Sequence, residues 1–420
     1  MAKFSRMKRS SAALICLILV CTLFLVPSAS ADWPMFGSDP QHSGVGTGSP
    51  PLTPTLLWNF TAPIQSYPNV TASFQSSPAV VNGVVYIGCS NGDVYLLNAK
   101  TGTQLWSNGV PGNISPAVAD GIVVTGSGDG GVAGFDAASG KLLWSFDTGD
   151  WGISSPIIAN GVVYMASTGT EAYAVNLKKG YEIWSIDVGP TYSSPAFSNG
   201  VVYLGSGSGV FAFNATNGDT LWRFITLSYV SSSPSVVNGV VYIPSGDGNL
   251  YALNASSGQK IWNYNFGPVG SASSPAVVNG IVYVLLHHEV YAFNGNKLWN
   301  STVNPNPPDL PMGIYSSPSV ANGVVCVGVG NRMYALNATN GFILWSYQTE
   351  GIIESSPAVV NGIIYFGSTD GTVYALGSVS STSPLTPIRI IQISLVVFVV
   401  VIVAAAIVII RWNRKAIKAN

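Results

Sequence analysis

Short apolar runs separated by glycine-containing turns recur along most of this chain. In one typical stretch, residues 79–81 and 84–87 are β-branched and aromatic runs that are too short to form helices. The dipeptide Asn82-Gly83 between them is typical of a two-residue hairpin, because a type I′ turn needs positive φ at both positions. The pattern predicts two antiparallel strands joined by a tight turn.

This stretch returns down the sequence with little change, each time after a Ser-Pro pair. The prolines of the eight copies are Pro78, Pro116, Pro156, Pro195, Pro234, Pro275, Pro318 and Pro357. The copies lie 38 to 43 residues apart. A repeat of that length indicates a solenoid, a propeller or an array. We interpret the serines before each proline as the residues that begin a strand, not as nucleophiles.

The remainder of each repeat decides among these architectures. In the first copy, a second turn at residues 91–93 leads into an apolar run at 94–97, and Thr101-Gly102 then turns the chain into a last strand ending at Trp106. Each repeat is therefore predicted to be a four-stranded antiparallel meander. Stacked four-stranded sheets at this period are typical of a β-propeller, which makes the protein all-β with eight blades.

The repeat tryptophans predict how the ring closes. Trp58 stands before the first Ser-Pro pair, whereas the last repeat runs through residues 373–376 and has no tryptophan after them. We therefore expect the stretch around Trp58 to supply the outer strand of the eighth blade. Such a closure joins the two ends of the ring and removes an exposed sheet edge.

Both ends of the chain carry signals of export and membrane attachment. Basic residues, an apolar core at 12–26 and the small residues Ala29, Ser30 and Ala31 predict a signal peptide cleaved before Asp32. Residues 390–410 are apolar except for Gln392 and Ser394, and a helix of this length spans about 31 Å, enough to cross a bilayer. The basic residues that follow predict a cytoplasmic tail.

The predicted organisation has six parts. They are a signal peptide at 1–31, a lead-in segment at 32–54 that packs across the ring, an eight-bladed propeller at 55–378, a linker at 379–389, a transmembrane helix at 390–410 and a basic cytoplasmic tail at 411–420. We expect a single-pass membrane protein with an extracellular, monomeric propeller. Because acidic residues outnumber Lys and Arg in the propeller, the sequence argues against a nucleic-acid partner.

The repeat resembles those of the pyrroloquinoline-quinone-like (PQQ-like) β-propeller family. The resemblance rests on the Ser-Ser-Pro-Ala-Val-Val-Asn-Gly-Val-Val-Tyr stretch, on Asp-Gly-x-Val-Tyr-Ala-Leu-Asn-Ala and on Thr-Gly-x-x-x-Trp, and it covers nearly the whole propeller. The stretches 32–34 and 42–44 look like the lead-in of its secreted members. The family includes quinoprotein alcohol dehydrogenases and an outer-membrane-assembly propeller lipoprotein, so the resemblance implies a propeller fold and either of these two functions.

The dehydrogenase function would require a site for the quinone. By resemblance, that site consists of two adjacent cysteines, a stacking Trp, a calcium held by Glu and Asn, and an Asp base. The chain has no adjacent cysteine pair after residue 31, and Cys89 and Cys326 are expected to be buried free thiols. We therefore predict no cofactor, neither PQQ nor calcium, and no catalytic or metal-binding residues. The sequence favours a protein that is not an enzyme.

The loops after each outer strand and the second turn of each blade should gather at one end of the ring. Because variable loops on a rigid scaffold commonly carry binding sites, we expect a ligand face there. Its candidate residues are Trp151, Tyr192, Tyr229, His287, Arg332 and Glu350. The predicted function is a cell-surface module that binds a protein or a glycan without catalysis. The alternatives are a quinone-dependent dehydrogenase with a non-standard site and a scaffold in envelope assembly.

Two further features bear on surface chemistry. The pair His287-His288 followed by Glu289 departs from the Gly-rich turn of the other repeats, and it suggests metal binding only weakly because one such pair rarely chelates. Seven Asn-X-Ser/Thr sequons make N-glycosylation plausible in an exported protein. They begin at Asn59, Asn69, Asn113, Asn214, Asn254, Asn300 and Asn337.

Overall fold

The computed structural model describes residues 32–63, 72–109, 113–126, 130–150, 152–207, 209–267, 272–303 and 316–378. The described chain is all-β and forms eight separate four-stranded sheets. In each sheet, neighbouring strands pair antiparallel. The predicted eight-bladed propeller of four-stranded antiparallel blades is confirmed.

Each blade has an inner strand, two middle strands and an outer strand. The inner strands are β2 Ala79–Val81, β6 Ala117–Ala119, β10 Ile157–Ala159, β14 Ala196–Ser198, β18 Ser235–Val237, β22 Ala276–Val278, β26 Ser319–Ala321 and β30 Ala358–Val360. The second strands are β3 Val84–Gly88, β7 Ile122–Gly126, β11 Val162–Ala166, β15 Val201–Ser206, β19 Val240–Pro244, β23 Ile281–Leu286, β27 Val324–Val329 and β31 Ile363–Gly367. The third strands are β4 Asp93–Asn98, β8 Gly131–Asp136, β12 Glu171–Asn176, β16 Gly209–Asn214, β20 Asn249–Asn254, β24 Glu289–Phe293, β28 Arg332–Asn337 and β32 Thr372–Gly377. The outer strands are β1 Thr55–Thr61, β5 Gln104–Gly109, β9 Leu142–Asp147, β13 Glu182–Asp187, β17 Thr220–Ile225, β21 Lys260–Asn265, β25 Lys297–Thr302 and β29 Ile343–Gln348.

The ring closes in the eighth blade, whose strand order is β1-β32-β31-β30. Strand β1 pairs antiparallel with β32, and Trp58 lies opposite Ala375 in the register. The first strand of the chain therefore completes the last blade, as the distribution of tryptophans predicted. The closure covers a sheet edge that would otherwise remain exposed.

The hairpin turns have the backbone that the sequence predicted. Asn82 and Gly83 adopt φ values of 51° and 76°, and Asp120 and Gly121 adopt 50° and 73°. Equivalent Asn-Gly pairs in the other six blades also have positive φ at both positions. These turns are followed directly by buried second strands, so each Asn-Gly pair fixes which residues of the hairpin face the neighbouring blades.

The outer strands extend further than predicted. The last strand of the first blade was expected to end at Trp106, but β5 continues to Gly109 because Ser107, Asn108 and Gly109 pair with residues of β4. The register shifts beside the tryptophan in this blade and at the equivalent position of the next six. The strand therefore carries a bulge and remains paired beyond it.

Most repeat tryptophans link one blade to the next. Trp184 of β13 is buried, and its indole Nε1 donates to the carbonyl oxygen of Ala215 in the following blade at 3.0 Å. The equivalent indoles of Trp58, Trp106, Trp144, Trp222 and Trp299 also donate to a backbone carbonyl of the next blade. Trp345 instead donates to Pro51 of the lead-in segment at 2.7 Å. The tryptophans therefore stabilise the contact between successive blades.

Several predicted segments lie outside the described residues. These are the signal peptide 1–31, the linker 379–389, the transmembrane helix 390–410 and the tail 411–420. In the part of the chain that the structure describes, no helix combines the length and the apolar character needed to cross a bilayer.

Candidate functional site

The two ends of the propeller differ in the connections that they carry. Because each blade is an antiparallel meander, every inner strand begins at the end of the ring where the outer strand of the previous blade finishes; we call this the loop end. The turn between the second and third strands lies at the same end, and Gly246 of such a turn donates its N–H to Tyr229 of the preceding loop at 2.9 Å. Val303 and His288 make the same kind of contact at 2.8 Å.

The described candidates for the ligand face all lie at the loop end, but they are spread over several blades. Tyr192 and Tyr229 are 75% and 52% exposed and belong to the loops that follow the third and fourth blades. His287 is exposed in the sixth blade, and Glu350 is exposed in the seventh. Trp151 lies outside the described residues. These candidates therefore do not form one compact cluster.

Arg332 is more constrained than a loop residue. Its guanidinium donates to the Gln348 side chain at 2.6 Å and to the Ser346 hydroxyl at 3.4 Å, both on the adjacent strand β29. The side chain is partly buried. Arg332 thus stabilises the seventh blade in addition to any role at its surface.

The two neighbouring histidines form a tight turn between β23 and β24. His287 has a φ of 54°, and burial together with the adjacent His287 lowers the pKa of His288. The Glu289 carboxylate accepts hydrogen bonds from Tyr291, from Asn300 at 3.3 Å and from Thr302 at 3.2 Å. In the described part of the chain, no three His, Cys, Asp or Glu side chains are grouped closely enough to hold a metal ion.

An apolar patch at the loop end of the fourth blade was not predicted from the sequence. Ile225 ends the outer strand β17 and is 71% exposed, and Leu227 in the following loop is 93% exposed. The loop of Tyr192 adjoins the same blade, because Thr191 donates to Gly205 and Gly209 pairs with Ile225. We call Tyr192, Ile225, Leu227 and Tyr229 the blade-four patch. Ile225 gave a signal that could have been noticed, since polar residues or glycine end the other outer strands.

The lead-in segment covers the opposite end of the central channel. Its backbone accepts hydrogen bonds from N–H groups in the middle of inner strands, including those of Val118, Phe197, Val236, Val277 and Val320, at 2.6 to 2.9 Å. Trp33 forms a two-way bridge with Val80. The N–H groups of these middle residues lie on the channel edge of the inner strands. They therefore have no partner within their own sheets. The segment therefore satisfies backbone donors of most blades simultaneously.

The serines that precede the repeat prolines line the other side of the channel. The backbone N–H of Ser194 donates to the Ser233 hydroxyl at 2.9 Å, and Ser233 donates to Ser274 in the same way at 2.9 Å. Seven of the eight steps around the described ring have this bond. We call these residues the serine ring; they are Ser77, Ser115, Ser155, Ser194, Ser233, Ser274, Ser317 and Ser356. The Ser-Pro pairs thus connect blades instead of providing nucleophiles.

A cavity lies between the lead-in segment and the serines of the sixth, seventh and eighth blades, and we call it the axial cavity. Trp33, Phe36 and His42 line it on the lead-in side. The Ser274, Ser317 and Ser356 residues of the ring line it on the other side. The lining contains no carboxylate, Lys or Arg, so the cavity is uncharged; its surface is mainly apolar, with the serines and His42 as its polar side chains.

His42 is the titratable group of this cavity. It is buried, its Nδ1 lies 3.2 Å from the carbonyl oxygen of Pro234, and burial lowers its pKa to about 4. Its Nε2 is also buried and has no hydrogen-bond partner in the protein. The sequence had indicated only that this region packs against the ring, because the contact with Pro234 joins residues 192 positions apart.

The two cysteines behave as expected for buried thiols. Cys89 and Cys326 are free and buried. Burial raises the pKa of both thiols, that of Cys326 to about 12. Because the thiolate is the reactive form, neither cysteine is activated as a nucleophile.

The sequons differ in how accessible their asparagines are. Asn59 and Asn300 are exposed on outer strands. Asn214, Asn254 and Asn337 are partly buried, and the side-chain oxygen of each accepts a backbone N–H from its own turn. Asn69 lies outside the described residues, and Asn113 is partly buried. Asn59 and Asn300 are therefore the sequons whose side chains are best placed for modification.

Comparison with known proteins relates the chain to one family. The model of the family described as "Outer membrane protein assembly factor BamB" matches residues 51–194 and 182–381, which together cover nearly the whole described propeller. The search of curated proteins gave no significant match.

Solved propellers of two kinds share the fold. BamB from Moraxella catarrhalis aligns with a TM-score of 0.64 at 17% identity, covering 78% of this chain and 100% of that chain. The quinohemoprotein alcohol dehydrogenase of Comamonas testosteroni aligns with a TM-score of 0.67 at 16% identity, covering 83% and 81%. The dehydrogenase ADHIIG of Pseudomonas putida HK5 aligns at 0.66 and 14%, covering 83% and 80%. At these identities the likeness shows the fold alone.

The axial cavity of this chain does not fit the quinone site that the resemblance implies. Cys89 and Cys326 are in different blades and do not form an adjacent pair. Among the residues that line the cavity, Trp33 could stack on a ring, but no Asp, Glu or Asn is present to hold calcium or act as a base. The donor set of the cavity consists of hydroxyl groups and one imidazole.

Proposed function

Since this chain belongs to the family described as outer membrane protein assembly factor BamB, we propose that its propeller is a non-catalytic binding module whose partner docks on the loop end. The observation that carries the proposal is the blade-four patch. Four large side chains, two aliphatic and two tyrosines, are at least half exposed at one end of a rigid ring. Exposed apolar surface of this kind marks interaction sites in soluble domains.

The chemistry of the patch favours a protein partner over a glycan. Ile225 and Leu227 offer aliphatic surface without hydrogen-bonding groups, whereas Tyr192 and Tyr229 combine apolar rings with hydroxyls. Aromatic anchors surrounded by aliphatic contacts are typical of protein interfaces. The backbone beneath the patch is held by hydrogen bonds, such as that from the Leu227 N–H to the Asp247 carboxylate at 3.1 Å. The binding surface is thus supported before the partner arrives.

The test is a contrast between binding and stability. We expect Leu227→Ala and Tyr192→Ala each to leave the free energy of unfolding within about 0.5 kcal/mol of the wild type, because both side chains are mostly exposed. Each should weaken binding of the partner at least about tenfold, as loss of an interface anchor does. Cross-linking in cells followed by affinity measurement with the captured partner provides the readout.

The binding test includes one control variant and one further candidate variant. Phe342→Ala removes a side chain that is 72% exposed at the opposite end of the seventh blade, and it should leave partner affinity unchanged. Trp151→Ala examines the remaining aromatic candidate. Unchanged affinity in both blade-four variants would reject this surface, and competition by free sugars would indicate a glycan partner.

The second candidate function is a quinone-dependent dehydrogenase, favoured by the shared fold of the quinohemoprotein enzymes. Because the axial residues do not fit the implied site, we expect purified protein mixed with PQQ and calcium to show no stoichiometric quinone absorbance after gel filtration. We also expect no oxidation of primary alcohols with an artificial electron acceptor. Stoichiometric uptake with turnover would instead establish the enzyme.

For location we propose a single-pass membrane protein with the propeller outside the cell and the tail 411–420 in the cytoplasm. Support comes from the apolar stretch 390–410 and the basic residues that follow it. Protease added to intact cells should digest the propeller and spare an epitope placed on the tail. Cleavage of the tail epitope from outside would contradict this orientation, and permeabilised cells serve as the control for epitope accessibility.

A further inference from the structure

His42 lines the axial cavity, and one of its ring nitrogens is a buried hydrogen-bond acceptor without a protein partner. Its Nδ1 faces the carbonyl oxygen of Pro234 at 3.2 Å, and a carbonyl oxygen can only accept a hydrogen bond. Nδ1 therefore carries the proton in the neutral ring. Nε2 is then an unprotonated acceptor, buried and without a protein partner, in a residue that lines the cavity.

The serine ring presents the complementary groups. The hydroxyl oxygens of Ser274, Ser317 and Ser356 each accept a backbone N–H from the neighbouring blade. Among the described residues, none accepts a hydrogen bond from these three hydroxyl groups. The cavity thus has donors on one side and one acceptor on the other. The cavity volume is about 10 Å³, about the smallest that holds one water molecule.

The backbone holds His42 in an unfavourable conformation that keeps the ring in this place. His42 has a φ of 54°, in the left-handed region that residues other than glycine rarely adopt. A Cβ on Gly37 would lie 2.9 Å from the His42 Cβ, so glycine is required beside it. The Phe36 ring packs edge-on at 5.2 Å, and the Asp39 carboxylate accepts hydrogen bonds from the backbone N–H and hydroxyl of Ser43. Strain of this kind persists where the surroundings over-determine it.

We propose that His42 and the serine ring bind one water molecule in the axial cavity, and that protonation of His42 releases the lead-in segment from the ring. The water donates a hydrogen bond to Nε2 and accepts one from a ring hydroxyl. It therefore joins the lead-in segment to the start of one of the inner strands β22, β26 and β30. Protonated His42 presents an N–H at Nε2 instead of a lone pair, so the water loses its acceptor and a charge is buried without a counterion.

Few ionisable groups near His42 could offset the cost of burying its positive charge. Asp39 is the ionisable neighbour within the lead-in segment, and burial raises its pKa. The elements packed on the other sides, β18 and the starts of β22, β26 and β30, place proline and serine around the cavity. No charged side chain on those elements faces His42 among the described residues that line the cavity.

The sign of the pH dependence follows from the two states of His42. When the lead-in segment is bound in the ring, which we call the seated state, burial lowers the pKa of His42 to about 4. When the segment is released, the pKa of His42 returns toward its ordinary value near 6.5. The released state therefore binds protons more readily, and seating is fully favourable above pH 6.5 and weakens as the pH falls toward 4. Asp39 acts in the opposite direction, because its raised pKa favours proton uptake in the seated state.

Two measurements on full-length protein test the proposal. Nitrogen-15 NMR of labelled histidine should show His42 as the Nδ1–H tautomer, with an Nε2 that accepts a hydrogen bond and a cross-peak to a bound water. Hydrogen exchange should report the seating of the segment through the amides of Val236, Val277 and Val320, which donate to lead-in carbonyls. Their protection factors should fall about a hundredfold between pH 7 and pH 4.

The control variants separate His42 from the other titrating groups. His42→Phe keeps an aromatic ring but does not titrate, and His42→Asn tolerates the left-handed backbone and does not titrate. In whichever variant folds, the fall in protection should disappear, while Asp39 is unchanged. An equal fall in the variant, a wild-type Nε2 without a hydrogen bond, or titration of His42 near 6.5 would each overturn the proposal.

Discussion

Replacing Trp184 by alanine is expected to lower the free energy of unfolding by about 3–5 kcal/mol, as truncation of large buried side chains does. The indole is 7% exposed and lies between the third and fourth blades. Its ring contacts Tyr164 at a centroid distance of 6.0 Å, and Tyr164 donates to the same Ala215 carbonyl that accepts the indole N–H. The substitution therefore opens a cavity and removes one of the two hydrogen bonds that the Ala215 carbonyl accepts from the third blade.

Chemical denaturation, followed by circular dichroism, measures this loss. Trp184→Phe retains a ring but not the indole N–H, so it should cost less than Trp184→Ala. The comparison separates packing from the hydrogen bond, whose net contribution is about 1 kcal/mol. Tyr192→Ala, in the adjacent exposed loop, is the matched surface control. A Trp184→Ala protein as stable as the wild type would show that the blades do not depend on this contact.

Removing residues 32–60 is expected to abolish cooperative folding of the propeller. The deletion takes away nearly all of β1 and leaves the edge of β32 unpaired. It also removes Trp58, which donates to Ala99 of the first blade, and Pro51, which accepts from Trp345 of the seventh. Finally, it exposes the inner-strand N–H groups that the lead-in segment satisfies. The deletion thus removes both the closure of the ring by β1 and the packing of the lead-in segment in the central channel.

Expression, gel filtration and thermal melting of the shortened protein provide the test, with aggregation or early unfolding as the expected result. A shorter deletion of residues 32–49 keeps β1 and Pro51 and removes the part of the lead-in segment that crosses the channel. It should destabilise the ring less than the longer deletion does. Leu52→Ala controls for sequence changes in this region, since Leu52 is 83% exposed. A normal melting transition after the longer deletion would refute the closure by β1.

The sequence also predicted the thiols correctly, but it gave no expectation of the exposed aliphatic side chains near the candidate tyrosines. Cys89 and Cys326 are free and buried, as their positions within apolar strands indicated. Tyr192 and Tyr229 are exposed at the loop end, but Ile225 and Leu227 were not anticipated. The residue type of an aliphatic side chain does not reveal whether it is exposed, because its exposure depends on which neighbours cover it. That information exists only in the assembled ring.

What the sequence by itself determined is everything that repeats locally. The Asn82-Gly83 turn and its seven counterparts specify hairpins through a backbone requirement of two adjacent residues, and the missing eighth tryptophan specifies closure through Trp58. What only the tertiary structure decided is the set of contacts in the central channel. The bond between His42 and Pro234 spans 192 positions, and the serine ring forms from one residue of each blade. Such contacts have no local signature, because inner-strand groups acquire their partners only when the ring has closed around the lead-in segment.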